Sequence, residues 1–226
     1  MAWGINFEPT FGQFYPDGEF AGWQDQIDAH FNLGLTEEEL VGVNPNNPIN
    51  SYRTKVAKKF IKDSGPIAEH EWPTEYRTVR IPKRLGSIMQ VTDRFLIIDE
   101  PLKSLIERFE PNIHTFREIA LASKGGTPIG GPYFVFVIGQ FLRSFSPTGS
   151  DEDLVNELAP SIYSVDFIFG YKNFERIALK ESVHVGKHLW REPSLAGPDF
   201  FISDDLHEAI VDQKLLFPKH ARVRDV

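Results

Sequence analysis

Two stretches, FLIIDEPLKSLI (residues 95–106) and DFFISDDLHEAI (residues 199–210), fall into register without a gap. Each has three apolar residues, then Asp99 or Ser203, then Glu100 or Asp204. Leu102 or Leu206 follows, with Ile106 or Ile210 four residues further on. A buried strand ending at Asp or Ser leads into a helix, because that side chain accepts the free N–H groups of the first turn. Acids in the first turn then face the positive end of the helix dipole. Leu102, Leu105, Ile106 and Phe109 give the first helix its apolar face, and Leu206, Ala209 and Ile210 give the second a matching one. A strand-to-helix unit used twice predicts two related halves.

Around these copies, GPYFVFVIGQFL (131–142) is an apolar run punctuated by glycine and reads as a buried central strand. EYRTVRIP (75–82) and IYSVDFIFGY (162–171) also read as strands. Ser150 is placed to cap a short helix, DEDLVNEL (151–158). VHVGKHLW (183–190) alternates about Gly186 and predicts an extended segment. Thr36 and Glu39 have the spacing of a capping box, opening a short helix that Gly42 ends. After the turn-rich NPNNP (44–48), Asn50 or Ser51 opens a helix with Tyr52, Val56 and Phe60 on one stripe, stopped at Gly65 and Pro66. The expected class is α+β, a mixed sheet with several packed helices. Three segments are expected: an acidic, aromatic-rich N-terminal region (1–50) packed on the core, a helix-and-strand lead-in (51–87), and a core domain (88–226).

Charge is unevenly spread. Residues 1–50 hold Glu8, Asp17, Glu19, Asp25, Asp28, Glu37, Glu38 and Glu39 but no Lys or Arg, and so account for the whole net charge of −8. A basic band follows, with Lys55, Lys58, Lys59 and Lys62 along the expected helix. The same N-terminal region carries Trp3, Phe7, Phe11, Phe14, Tyr15, Phe20, Trp23 and Phe31. Disordered segments are poor in aromatics, so these rings bury against the protein or a partner. No sustained period runs through residues 1–31, which read as irregular apart from a helix near Trp23–Phe31. Cysteine is absent, which excludes disulfides, thiolate metal sites and cysteine nucleophiles. No apolar run is long enough to span a bilayer. The opening MAWGINFEPTFG lacks the basic start and apolar core of a secretory signal. A cytoplasmic setting, away from membranes, is expected.

The chemistry-bearing residues yield no reaction centre. Ser203, Asp204, Asp205 and His207 suggest a hydrolase, but a capping Ser203 has its oxygen occupied by its own helix, and the first copy has Asp99 and Lys103 at the equivalent places. His184 and His188 would suit zinc only on a helix. KGGTPIGGP (124–132) lacks the lysine and hydroxyl of a phosphate-binding loop. The lysine stripe has no interleaved aromatics to suggest nucleic acid, and pairing with the acidic opening is the better reading. No catalytic, cofactor-binding or metal residue is expected.

LIIDEPLKSLIERFEPNIHTFREI, GPYFVFVIG, HLWREPSLAGPDFFISDDLHEAI and LLFPKHARVRDV, in that order, resemble the family numbered eleven among bacterial polymorphic-toxin immunity proteins. The motifs fall at Ile98–Leu102, Tyr133–Val137, His188–Arg191 and Ile202–Leu206, and the resemblance spans roughly residues 88–226. It implies a cytoplasmic, non-catalytic protein that binds and neutralises a cognate toxin, such as a type VI secretion effector. A basic nuclease is one such toxin. Acidic residues speed encounter with a basic partner and aromatics supply binding energy, so Trp3, Trp23, Glu37, Glu38 and Glu39 are the candidate toxin-binding residues. The rivals are an enzyme that gathers Glu69, His70, His184 and His188 in one pocket, and an adaptor or chaperone for the toxin. Oligomeric state is left open.

Overall fold

The computed structural model describes residues 1–8, 10–62, 65–80, 83–165, 170–196 and 200–226. In chain order the elements are β1 (Ala2–Asn6), β2 (Gly18–Phe20), α1 (Trp23–Leu33), α2 (Glu37–Leu40), α3 (Pro48–Lys59), β3 (Glu75–Thr78), β4 (Ile88–Gln90), β5 (Leu96–Asp99) and α4 (Glu100–Phe109). There follow β6 (Thr115–Ser123), β7 (Tyr133–Val137), β8 (Val155–Ala159), β9 (Ile162–Val165), β10 (Ala178–Leu179), α5 (Glu181–His184), β11 (Leu189–Arg191), β12 (Phe200–Ser203), α6 (Asp204–Asp212) and β13 (Lys219–Asp225).

The fold is α+β, with the expected mixed sheet divided in two. One sheet has the order β2-β3-β6-β7-β5-β4 and the other β10-β13-β1-β12-β11; β8 and β9 form a separate hairpin. The two strand-to-helix copies lie in different sheets. β5 runs antiparallel to both neighbours, β4 and β7, as β12 does to β11 and β1. Both caps form as the sequence predicts: Asp99 accepts the Leu102 N–H at 3.0 Å, and Ser203 Oγ accepts the Leu206 N–H at 3.2 Å.

Strand alternation sorts the apolar residues. In β5, Leu96 and Ile98 face one cluster and Ile97 another; in β12, Phe200 and Ile202 face one cluster and Phe201 another. The shared cluster joins Leu96, Ile98 and Phe136 to Phe200 and Ile202 through Leu102, Ile106, Leu206 and Ile210 of α4 and α6. Burying a Leu or Ile stabilises by about 2 kcal/mol, so this seam holds the two sheets as one body. The opposite face of the first sheet is covered by α1 and α3: Trp23, Ile27, Tyr52 and Val56, with Phe60 just past the end of α3, pack on Phe95, Ile97 and Val135.

Residues 1–50 thus supply a strand to one sheet and a strand plus α1 to the other. The expectation of irregular structure fails at residues 2–6, which form β1 at the centre of the second sheet. Gly4 hides the strand pattern, yet the glycine is required: a Cβ there would lie 2.2 Å from the Phe174 ring. DEDLVNEL is not a helix. It is a 3-10 turn at Glu152–Leu154 followed by β8, with the chain reversing at Pro160 and Ser161. VHVGKHLW divides similarly: α5 ends at His184, Gly186 turns the chain at φ 73°, and strand begins at Leu189. α3 opens at Asn47 with Pro48 as its first residue, ahead of Asn50 and Ser51, because proline is preorganised for that position. Ile81 and Pro82, residues 166–169 and Asp199, parts of three expected strands, lie outside the described residues. No helix among the described residues is long and apolar enough to cross a membrane.

Candidate functional site

The acidic opening and the basic band meet where α1, α2 and α3 come together. Arg53 pairs with Asp28 across α1 and α3, with Nε 2.6 Å from Oδ1. Lys55 donates to the carbonyls of Glu38, Glu39 and Val41 at 2.8–3.1 Å, satisfying the open end of α2. Lys59 meets the carboxylate of Glu71, itself 2% exposed, at 2.6 and 2.8 Å. Lys58 and Lys62 line a cavity of about 430 Å³ between α1 and α3. Half of the lysine stripe is therefore spent inside the fold.

Beneath α2 lies a polar knot. Thr36 and Glu39 close the predicted capping box: the Thr36 N–H and Oγ bond Glu39 Oε2 at 2.8 and 2.9 Å. That leaves Oε1 facing inward, 2.8 Å from His30 Nε2 and 3.4 Å from the Tyr52 hydroxyl. The Tyr52 hydroxyl also lies 3.3 Å from His70 Nε2, and the His30 and His70 rings stack 3.5 Å apart. The turn bearing His70 is pinned by Trp23 Nε1 on the Glu71 carbonyl at 2.7 Å, and by Gln26 on the carbonyls of His70 and Trp72. The Thr36 backbone N–H, against burial and with help from His30, holds the Glu39 carboxyl down at about 2. Burial, and then the neighbouring His30, push the His70 imidazole below its usual value, and burial raises the Tyr52 phenol. At neutral pH Glu39 is an ionised carboxylate beside a neutral His70 ring and a neutral Tyr52 phenol.

Outside this knot the surface is apolar and acidic. Leu33 is 86% exposed, Val41 71% and Leu40 48%, and the exposed Glu37 and Glu38 stand beside them without an ion pair among the described residues. Of the five residues expected to bind a partner, only Glu37 and Glu38 face outward freely. Trp23 is 5% exposed and sits in the core. Glu39 is committed to the capping box. Trp3, on β1, stacks on His207 at 3.8 Å and donates from Nε1 to Asp204 at 2.7 Å.

The four residues of the enzyme reading go to three places. Glu69 pairs with Arg117, and His70 joins the knot. His184 stacks on Trp190 and bonds Asp225 at 3.1 Å. His188 Nδ1 lies 2.9 Å from Ser203 Oγ, in a cavity of about 200 Å³ also lined by His184. That serine–histidine contact is a consequence of the repeat. The Ser203 N–H bonds the His188 carbonyl, as the Asp99 N–H bonds the Ser87 carbonyl, and the Ser87 side chain likewise reaches its cap. Among the described residues no hydrogen bond reaches His188 Nε2, and the Phe109 ring packs edge-on against the imidazole at 4.8 Å.

The doubled strand-to-helix unit and these structural uses of its polar residues agree with the sequence resemblance, and a model of the immunity protein family Imm11 matches residues 29–216. The chain belongs to that family. The match begins within α1 and takes in the end of that helix, α2, α3 and the knot, well ahead of residue 88. No curated protein matches the chain. As an Imm11 member it is an immunity protein, and the family's role is toxin neutralisation.

Proposed function

We propose that this Imm11 protein acts in the cytoplasm as a non-catalytic inhibitor, binding a cognate antibacterial toxin delivered by a type VI or similar system. The observation that carries the reading is the solvent-facing Leu33, Leu40 and Val41 beside the unpaired Glu37 and Glu38. Apolar side chains this exposed and this close together in the chain supply contact area to a partner. The acids beside them favour a toxin with a basic face, as around the active site of a nuclease, and accelerate its approach. The test is growth rescue and binding kinetics with the toxin encoded beside this gene. Changing Glu37 and Glu38 to Lys slows association and Val41→Asp weakens protection. Unaltered rescue and on-rate in both variants would refute the assigned surface.

A further inference from the structure

We propose that His30, Glu39 and His70 form a binding site for a first-row divalent cation, zinc foremost. One ligand atom from each lies within 4.8 Å of the others, the one such convergence of three found among the described residues. In a tetrahedral site with bonds of about 2.0–2.1 Å the ligand atoms stand about 3.3 Å apart, so modest side-chain rotation closes the gap. Two imidazoles and a carboxylate suit zinc, where calcium or magnesium would ask for oxygen throughout.

Preorganisation strengthens the case. Thr36 fixes Glu39 Oε2 from two sides and aims Oε1 at the rings. Glu71, accepting the Ala68 N–H at 2.7 Å and paired with Lys59, holds the turn that presents His70. The polar atoms already converge: His30 Nε2 lies 2.8 Å from Glu39 Oε1, and the Tyr52 hydroxyl lies between Glu39 Oε1 and His70 Nε2, at 3.4 and 3.3 Å. A cation bound among them takes the place of the His30–Glu39 contact and leaves Tyr52 to orient a ligand from behind. The side chains of His30 and Glu39 are 28% and 26% exposed, which gives the ion a path in and leaves a fourth position to water. Bound there, it would tie the four-residue α2 to α1 and the 69–71 turn. The site stands independently of toxin binding.

The experiment uses the full chain stripped with chelator, titrated with zinc by calorimetry and with cobalt by visible absorption. We expect one equivalent bound, a cobalt band of low-symmetry coordination, and zinc-dependent movement of the His30 and His70 imidazole resonances. His30→Gln with His70→Gln weakens binding at least about tenfold, a floor set by what losing even a supporting residue costs. His207→Gln with His220→Gln, which removes the other close imidazole pair, leaves it unchanged. Because the resonances are read in the unmutated protein, a misfolded variant does not decide the matter. No zinc binding, resonance movement confined to other histidines, or undiminished binding in a folded His30/His70 variant each overturns the site.

Discussion

The Glu110 carboxylate accepts the backbone N–H of His188 at 2.7 Å, joining the end of α4 to the approach of β11 across the two sheets. It also accepts from the Leu189 N–H at 3.1 Å, the Gln140 amide at 2.9 Å and His114 Nε2 at 2.7 Å. The Gly139 N–H points at His114 Nδ1, which makes Nε2 the protonated, donating nitrogen. Glu110→Ala leaves these donors buried without an acceptor and will cost about 3 kcal/mol or more, with the chain still folded at low temperature. Urea unfolding followed by tryptophan fluorescence measures it; a loss below about 1 kcal/mol would show that the network does not bind the halves together.

The two caps are interchangeable in principle. Ser203→Ala removes the acceptor of the Leu206 N–H and will lower stability by about 1 kcal/mol, and Asp99→Ala will do the same to α4. Ser203→Asp copies the first unit into the second and will keep most of that stability. It also removes the hydroxyl that a serine nucleophile requires, so intact toxin protection in Ser203→Asp separates the capping role from a catalytic one. Lost protection in a stably folded Ser203→Asp protein would revive the hydrolase reading.

What the sequence discloses here is local. Asp99 and Leu102, or Ser203 and Leu206, are three residues apart, so the strand-to-helix units can be read from pattern alone. The same holds for Thr36 and Glu39. The strands around them are set by partners far away. β1 is a strand because β12 and β13 flank it, and β13 lies more than 200 residues away in the chain. Pro160, read as a helix stop, turns a hairpin because β8 has β9 to pair with. The His30–Glu39–His70 knot escapes for the same reason: its members are 9 and 31 residues apart, at no metal-ligand spacing. Only Glu39, through its capping box, has a position that the sequence specifies.

Stability will fall with acid in two separate steps. Burial, then nearby positive charge, lowers the imidazoles of His70 and His207 in the folded state. The unfolded chain therefore takes up protons first, near the ordinary value of 6.5, and stability drops as pH falls through that value. The Glu39 carboxyl, held at about 2 from an ordinary 4.5, contributes stability that is full above 4.5 and lost as pH falls towards 2. Glu110 acts in the same direction: burial alone would raise it, but the bonds from His114, His188 and Gln140 outweigh burial. Denaturant midpoints measured from pH 8 to 3 will show both steps. Replacing His70 and His207 with Gln will flatten the upper one, and Glu39→Gln will diminish the lower one.

Core and surface can be told apart through two apolar residues at opposite ends of α1. Trp23 packs against Phe20, Phe60 and Phe95 and donates to the Glu71 carbonyl, so Trp23→Ala will cost about 3–5 kcal/mol. Its toxin protection will fall only as far as the folded fraction falls. Leu33, 86% exposed on the last turn of the same helix, has little packing to lose, and Leu33→Asp will leave stability within about 0.5 kcal/mol. If the end of α1 meets the toxin, Leu33→Asp will nonetheless weaken binding, with a faster off-rate at unchanged folded fraction. Calorimetric unfolding beside surface plasmon resonance of both variants reads the two effects separately. A Leu33→Asp protein that binds as the parent does would move the interface away from the α1–α2 corner.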